Sequence, residues 1–236
     1  MPVDGPHVVV DRIENLAGAL ARRIEELASE AVAARGRFAI ALPGGSVASA
    51  FLPELRALRV PWDRVAVFFG DERAVAVSHP DSNLGLARSL LLDHVPVDPS
   101  SVHPAAAPDG DVDAGAARYE STLLAVLGAP PRLDVALLGV GPDGHVCSLF
   151  EGHAALRERD RWVVGVTDSP KPPPRRVTLT LKTLAQARLV AIAAFGAGKA
   201  AVMREATSDP ASTLPVALAM RTGAPVLVLL DPDASA

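Results

Sequence analysis

The chain has 236 residues, 49% of them apolar, and a formal net charge of -4. That length and apolar content support one sizeable core, so a single domain over residues 1–236 is expected. The acidic balance argues against a nucleic-acid partner or an anionic membrane surface, whereas an anionic small molecule needs only local cations.

The one cysteine, Cys147, excludes an intramolecular disulfide and fits a reducing compartment. It reads as a packing residue rather than a nucleophile. The opening MPVDGPHVVVDRIENL lacks a basic segment followed by an apolar one. No apolar run approaches the roughly 18 residues of a membrane span. A cytoplasmic protein without a membrane partner is therefore expected, and nothing in the composition demands an oligomer.

Strand and helix patterns alternate from the start. His7–Val10 is a short β-branched run. From Asp11 the period changes: Ile13, Leu16, Ala17, Leu20, Ile24, Leu27 and Ala31 share one helical face, and Gly36 ends it. Phe38–Leu42 reads as a buried strand running into Pro43-Gly44-Gly45-Ser46, with a helix to about Leu58 behind it. Val65–Phe69 is the next strand, followed by the loop Gly70-Asp71-Glu72-Arg73. Helices are predicted over 83–92 and 113–127, with a surface excursion over 104–113. Residues 133–139 form a strand that feeds the loop Val140-Gly141-Pro142-Asp143-Gly144-His145. Strands over 162–166 and 177–181 flank the proline-rich 170–174. A strand over 189–195, a helix over 198–206 and a strand at Val226–Leu230 complete the chain. Continuous apolar strands alternating with helices imply an α/β fold with a doubly wound, mainly parallel central sheet. Ligands in such folds bind beyond the carboxyl ends of the strands, where three polar, glycine-bearing loops are expected to lie.

Each loop carries chemistry. Gly44, Gly45 and Ser46 join a strand to a helix, which presents backbone N–H groups suited to phosphate, with Ser46 as the cap. The alternative is an ordinary tight turn; the P-loop and dinucleotide fingerprints are both absent here. Arg73 can grip phosphate oxygens, and Asp71 or Glu72 can accept from sugar hydroxyls; a local ion pair is the plainer reading. Histidine as a residue type titrates near neutrality, so His145 suits general-base activation of water, with Asp143 orienting its ring. Gly141 and Gly144 would turn backbone N–H groups toward an oxyanion. A structural histidine is the alternative. Lys199 follows another strand-to-helix turn, and Arg175 stands before a strand as a candidate contact with Arg176 as the alternative. His7, His79, His94, His103 and His153 show no HxH or HExxH spacing, so no metal site is expected.

Four stretches together resemble the 6-phosphogluconolactonase family, within the superfamily that includes glucosamine-6-phosphate deaminase. They are ALPGGS at 41–46, FFGDER at 68–73 with Ser82-Asn83 after it, LLGVGPDGHVCSLFEG at 137–152, and RVTLTLKTLAQA at 176–187 with Gly198-Lys199. The resemblance implies hydrolysis of 6-phospho-D-glucono-1,5-lactone in the pentose phosphate pathway, with a phosphosugar lactone as partner and no organic cofactor. It also implies that His145 is the base and that Gly44, Gly45, Ser46, Arg73 and Lys199 contact the substrate. Pro43 stands where that family commonly has serine, Val47-Ala48 where it has Thr-Pro, and Val146-Cys147 where it has Thr-Ala. The deaminase branch differs at two places: its Asp-Glu pair precedes tyrosine rather than Arg73, and it carries glutamate where this chain has Phe150, with Glu151 one position later. A non-catalytic sugar-phosphate sensor would carry a DNA-binding helix-turn-helix, for which about six residues before the first strand leave no room.

Overall fold

The computed structural model describes residues 5–107 and 110–236. The chain opens with β1 (His7–Val10), α1 (Ile13–Arg35), β2 (Phe38–Leu42), α2 (Gly45–Phe51) and β3 (Val65–Phe69). It continues through β4 (Asp71–Arg73), α3 (Asn83–Leu90), α4 (Val112–Leu127), β5 (Val135–Gly139), β6 (Val163–Val166) and β7 (Arg176–Leu179). It ends with α5 (Leu181–Leu184), β8 (Val190–Ala194), α6 (Ala200–Ser208), α7 (Pro215–Met220) and β9 (Val226–Leu230).

Six strands form one wholly parallel sheet in the order β1-β9-β8-β5-β2-β3. The inner strands read as continuous apolar runs because both faces are covered, whereas the edge strand β1 is largely exposed. The pleat divides them. Phe38, Ile40 and Leu42 of β2 pack with α1, α2 and α3, while Ala39 and Ala41 face the opposite core. The same alternation sends Val65, Val67 and Phe69 one way and Ala66 and Phe68 the other. Burying a side chain the size of Leu or Phe stabilises the fold by roughly 2 kcal/mol, so a register slip in these strands is strongly disfavoured. The apolar face of α1 buries Leu16, Leu20 and Ile24, and Gly36 ends it at φ 75, donating its N–H to Val32 O at 2.8 Å.

A second, antiparallel sheet in the order β4-β7-β6 lies apart from the first. This corrects two expectations. Residues 71–73 are a short strand rather than loop, and the strands near 162–166 and 177–181 leave the parallel sheet to pair with it. Close packing against α4 explains part of the arrangement: a Cβ on Gly165 would meet Val112 O at 2.9 Å, so only glycine lets β6 approach that helix. The helix after Ser46 breaks at Pro53 into a 3-10 turn, Pro53–Ala57, rather than running to Leu58. The helix expected over 198–206 opens with a 3-10 turn at Ala197–Lys199. Helix α7 was not foreseen. The surface excursion over 104–113 falls partly outside the described residues, and its start is core rather than surface, because Ala105 and Ala107 are buried. Among the described residues no helix is long and apolar enough to cross a membrane.

Candidate active site

Parallel strands β2, β3 and β5 end side by side, and the loops that leave them meet over one cavity. Gly44, Gly45, Ser46, Asp71, Arg73, His145 and Lys199 line it, together with Asn83, Cys147 and Arg176. This is where the chain order turns back on itself: β3 lies to one side of β2, and β5 to the other. Asp143, Gly144 and Arg175 are not part of the lining.

The glycine loop is built for close approach. Gly45 sits at φ 63, and a Cβ on Gly44 would fall 1.9 Å from Asn83 Oδ1. Asn83 cannot yield, because its amide donates to Asp71 O at 2.9 Å. Ser46 does not cap the helix as expected. Gly44 takes the cap position without a side-chain bond, and Ser46 is exposed one residue inside. The opening N–H groups of any helix lack intrahelical partners.

Strand β4 carries three charged side chains with different fates. Asp71 is buried and committed: Ser148 Oγ donates to it at 2.6 Å, Asn83 Nδ2 at 3.2 Å, and Arg176 stands at 3.7 Å. It lines the cavity as a braced wall rather than an idle acceptor. Glu72 turns inward and accepts from the backbone N–H groups of Arg73, Asn83 and Leu84 and from Ser82 Oγ. Burial raises its pKa, and those backbone donors oppose the rise. Arg73 donates from Nη1 to Asp81 O at 2.6 Å, and its Nε is the one buried side-chain polar atom without a partner among the described residues. An orphaned buried N–H costs about 1–3 kcal/mol, and an anionic ligand oxygen would relieve it.

His145 occupies the facing side. Its Nδ1 lies 2.5 Å from Asp143 Oδ1, and Phe150 packs on the ring with centroids 4.7 Å apart. Bonding to a carboxylate places the proton of the neutral ring on Nδ1 and leaves Nε2 as the acceptor. Partial burial works against the Asp143 charge, but the His145 hydrogen bond and the nearby Lys171 together hold its pKa below the ordinary value. Gly141 and Gly144 do not serve an oxyanion. Their N–H groups are taken up by His145 O at 2.8 Å and Gly141 O at 3.0 Å. Gly144 instead accepts from Val216 N–H and packs on Leu214. Burial lowers the Lys199 pKa, and the Asp143 charge opposes that shift.

Arg175 is exposed, and the adjacent Arg176 is the buried one. Arg176 opens β7, and its guanidinium is held by the carbonyls of Lys171, Pro172 and Pro173 and by Asp71, whereas Arg175 precedes the strand. The choice was left open by the sequence because both arginines precede the apolar run. Glu72, a candidate acceptor from sugar hydroxyls in the sequence, is not part of the lining, and Asn83 and Phe150 matter here although the loop chemistry does not single them out. The spacing of Ser82-Asn83 behind the Asp-Glu pair was the available signal. Cys147 is the only non-glycine residue with positive φ among those described, at 52. Its sulfur packs at Gly70, and burial with the Asp71 charge pushes its pKa well up, so it remains a thiol. Among the described residues no three His, Cys, Asp or Glu side chains group to hold a metal.

Comparison with known proteins places this geometry in context. The model of the family described as glucosamine-6-phosphate isomerases/6-phosphogluconolactonase matches residues 11–228. A 6-phosphogluconolactonase from Mycobacterium leprae is 42% identical over 94% of this chain and 94% of its own. The solved 6-phosphogluconolactonase from Trypanosoma cruzi superposes with a TM-score of 0.87 at 28% identity, covering 100% of this chain and 97% of that one. A monomeric glucosamine-6-phosphate deaminase shares the fold at TM-score 0.83 and 21% identity, covering 97% of this chain and 98% of that one. The chain belongs to the glucosamine-6-phosphate isomerase/6-phosphogluconolactonase family.

Proposed function

We propose that this protein is a hydrolase that opens 6-phospho-D-glucono-1,5-lactone, with His145 as the general base. The observation that carries the reading is the His145–Asp143 pair at 2.5 Å, with the imidazole lining a cavity that also holds Arg73 and Lys199. His145 Nε2 takes a proton from water as the oxygen attacks the lactone carbonyl carbon. Asp143 steadies the imidazolium that forms, and the imidazolium then protonates the departing ring oxygen. Arg73 and the first turn of α2 hold the phosphate, which fixes the distant carbonyl against the base. Lys199 lines the same cavity as His145 and supplies positive potential to the developing oxyanion.

The environment of His145 favours this reading over deamination. Phe150 covers the ring, and the carboxylate of Glu151 is engaged elsewhere, accepting from Thr213 Oγ1 at 2.6 Å. No carboxylate other than Asp143 is positioned on the imidazole among the described residues. Proton release from freshly generated lactone, corrected for spontaneous hydrolysis, should far exceed ammonia release from glucosamine 6-phosphate. Ammonia release without lactone opening would reject the proposal.

A further inference from the structure

We infer that Lys171 is a positioning residue for the His145 base, its ammonium bearing on the free oxygen of the carboxylate that orients the imidazole. The inference rests on the reading of His145 as the base. Lys171 Nζ lies 3.5 Å from Asp143 Oδ2, while Asp143 Oδ1 holds His145 Nδ1 at 2.5 Å. A carboxylate so close to an imidazole favours the charged ring, and a ring that keeps its proton near neutrality cannot act as a base. A cation on the second oxygen shares that negative charge and tempers its effect.

Lys171 is 43% exposed, so an unsupported side chain there would contribute little. Its backbone is held, however. The buried Arg176 guanidinium donates to Lys171 O at 3.0 Å, Pro172 O at 3.1 Å and Pro173 O at 2.9 Å. Ser169 Oγ accepts from Lys171 N–H at 3.2 Å and donates to Lys171 O at 2.9 Å. Arg176 is in turn anchored to Asp71 in the cavity wall. A continuous path thus runs from the wall through Arg176 and the Pro-Lys-Pro-Pro-Pro segment to Asp143. This gives that segment a purpose that its distance from the glycine loops had hidden.

Other charges face the same pair. Lys199 approaches from the turn before α6, and Arg176 lies over the Phe150 ring, 5.8 Å from its centroid. Asp71 is paired with Arg176, and Arg73 stands elsewhere in the cavity lining. Lys171 and Lys199 are therefore the two cations to separate.

The test is an NMR titration of the His145 ring in the ligand-free full chain, assigned by loss of its signal in His145→Asn. Lys171→Met should raise the midpoint by about half a unit, the scale of a partly exposed ion pair. Lys171→Arg should restore the wild-type midpoint. The acidic limb of kcat/KM should move with it, a loss of about threefold on that side, with KM unchanged at higher pH. A wild-type midpoint in Lys171→Met, or a shift in Lys199→Met alone, would overturn the inference. If His145→Asn keeps its turnover, the base reading fails instead, and the titration still reports on Lys171.

Discussion

His145 and Asp143 meet over Gly141 because that residue has no side chain. A Cβ there would fall 2.0 Å from His145 Nδ1 and 2.6 Å from Asp143 Oδ1. The ring can swing aside, so Gly141→Ala should leave the melting temperature nearly unchanged while kcat falls by roughly 10²-fold, the usual cost of an ångström-scale misplacement. Thermal melting and steady-state rates check both halves. A further expectation concerns pH. The Asp143 pKa is held below its ordinary value, so its stabilising charge is fully present above the unfolded carboxylate pKa and is lost only as pH falls through the lower folded value. Loss of activity on acidification near neutrality should therefore not come from Asp143. Asp143→Asn should lower kcat across the whole range rather than reshape the profile only at its acid end. The sequence made this dyad legible only in company: a histidine two residues from an aspartate just past a buried strand could be structural, and the two other polar loops at strand ends tip the reading. It misjudged the glycines, since a glycine that frees an N–H and one that admits a neighbouring ring look alike in a string of letters.

At the scale of elements, β4 is the piece that organises the cavity. Its three residues send Asp71 to the cavity wall, Glu72 to the interior and Arg73 to the cavity lining. Glu72 accepts three backbone N–H groups and a hydroxyl. Glu72→Gln would turn an amide NH2 toward those donors, so stability should drop by about 2 kcal/mol, read from the denaturant midpoint. An unchanged midpoint would mean that the inward carboxylate is dispensable. Arg73→Ala should raise KM strongly for the phosphorylated lactone and much less for unphosphorylated gluconolactone, which never made the contact. Equal losses on the two substrates would place Arg73 outside the phosphate site. The strand itself was not legible. Three consecutive charged residues break every strand pattern, and the pairing that makes them one comes from Arg176, Val177 and Thr178, about a hundred positions along the chain. The parallel strands were legible for the opposite reason: Phe38–Leu42, Val65–Phe69 and Val226–Leu230 are buried on both faces and need no distant partner to explain their composition.

For the whole molecule, topology sets the chemistry. The sheet turns back between β2 and β5, and the loops that leave those ends bring a phosphate-suited turn and a histidine onto one cavity. The related deaminase shares this architecture, so the fold does not separate lactone opening from deamination, and the residues around His145 must. The most direct measurement is the turnover of freshly generated 6-phosphogluconolactone by wild type and His145→Asn, each corrected for spontaneous hydrolysis. An amide can hydrogen-bond water but cannot take its proton. The variant should therefore fold and bind with little change in KM, while kcat falls by roughly 10² to 10⁴, the usual contribution of a positioned base. A folded His145→Asn that turns the lactone over at the wild-type rate would contradict the assignment of His145 as the base.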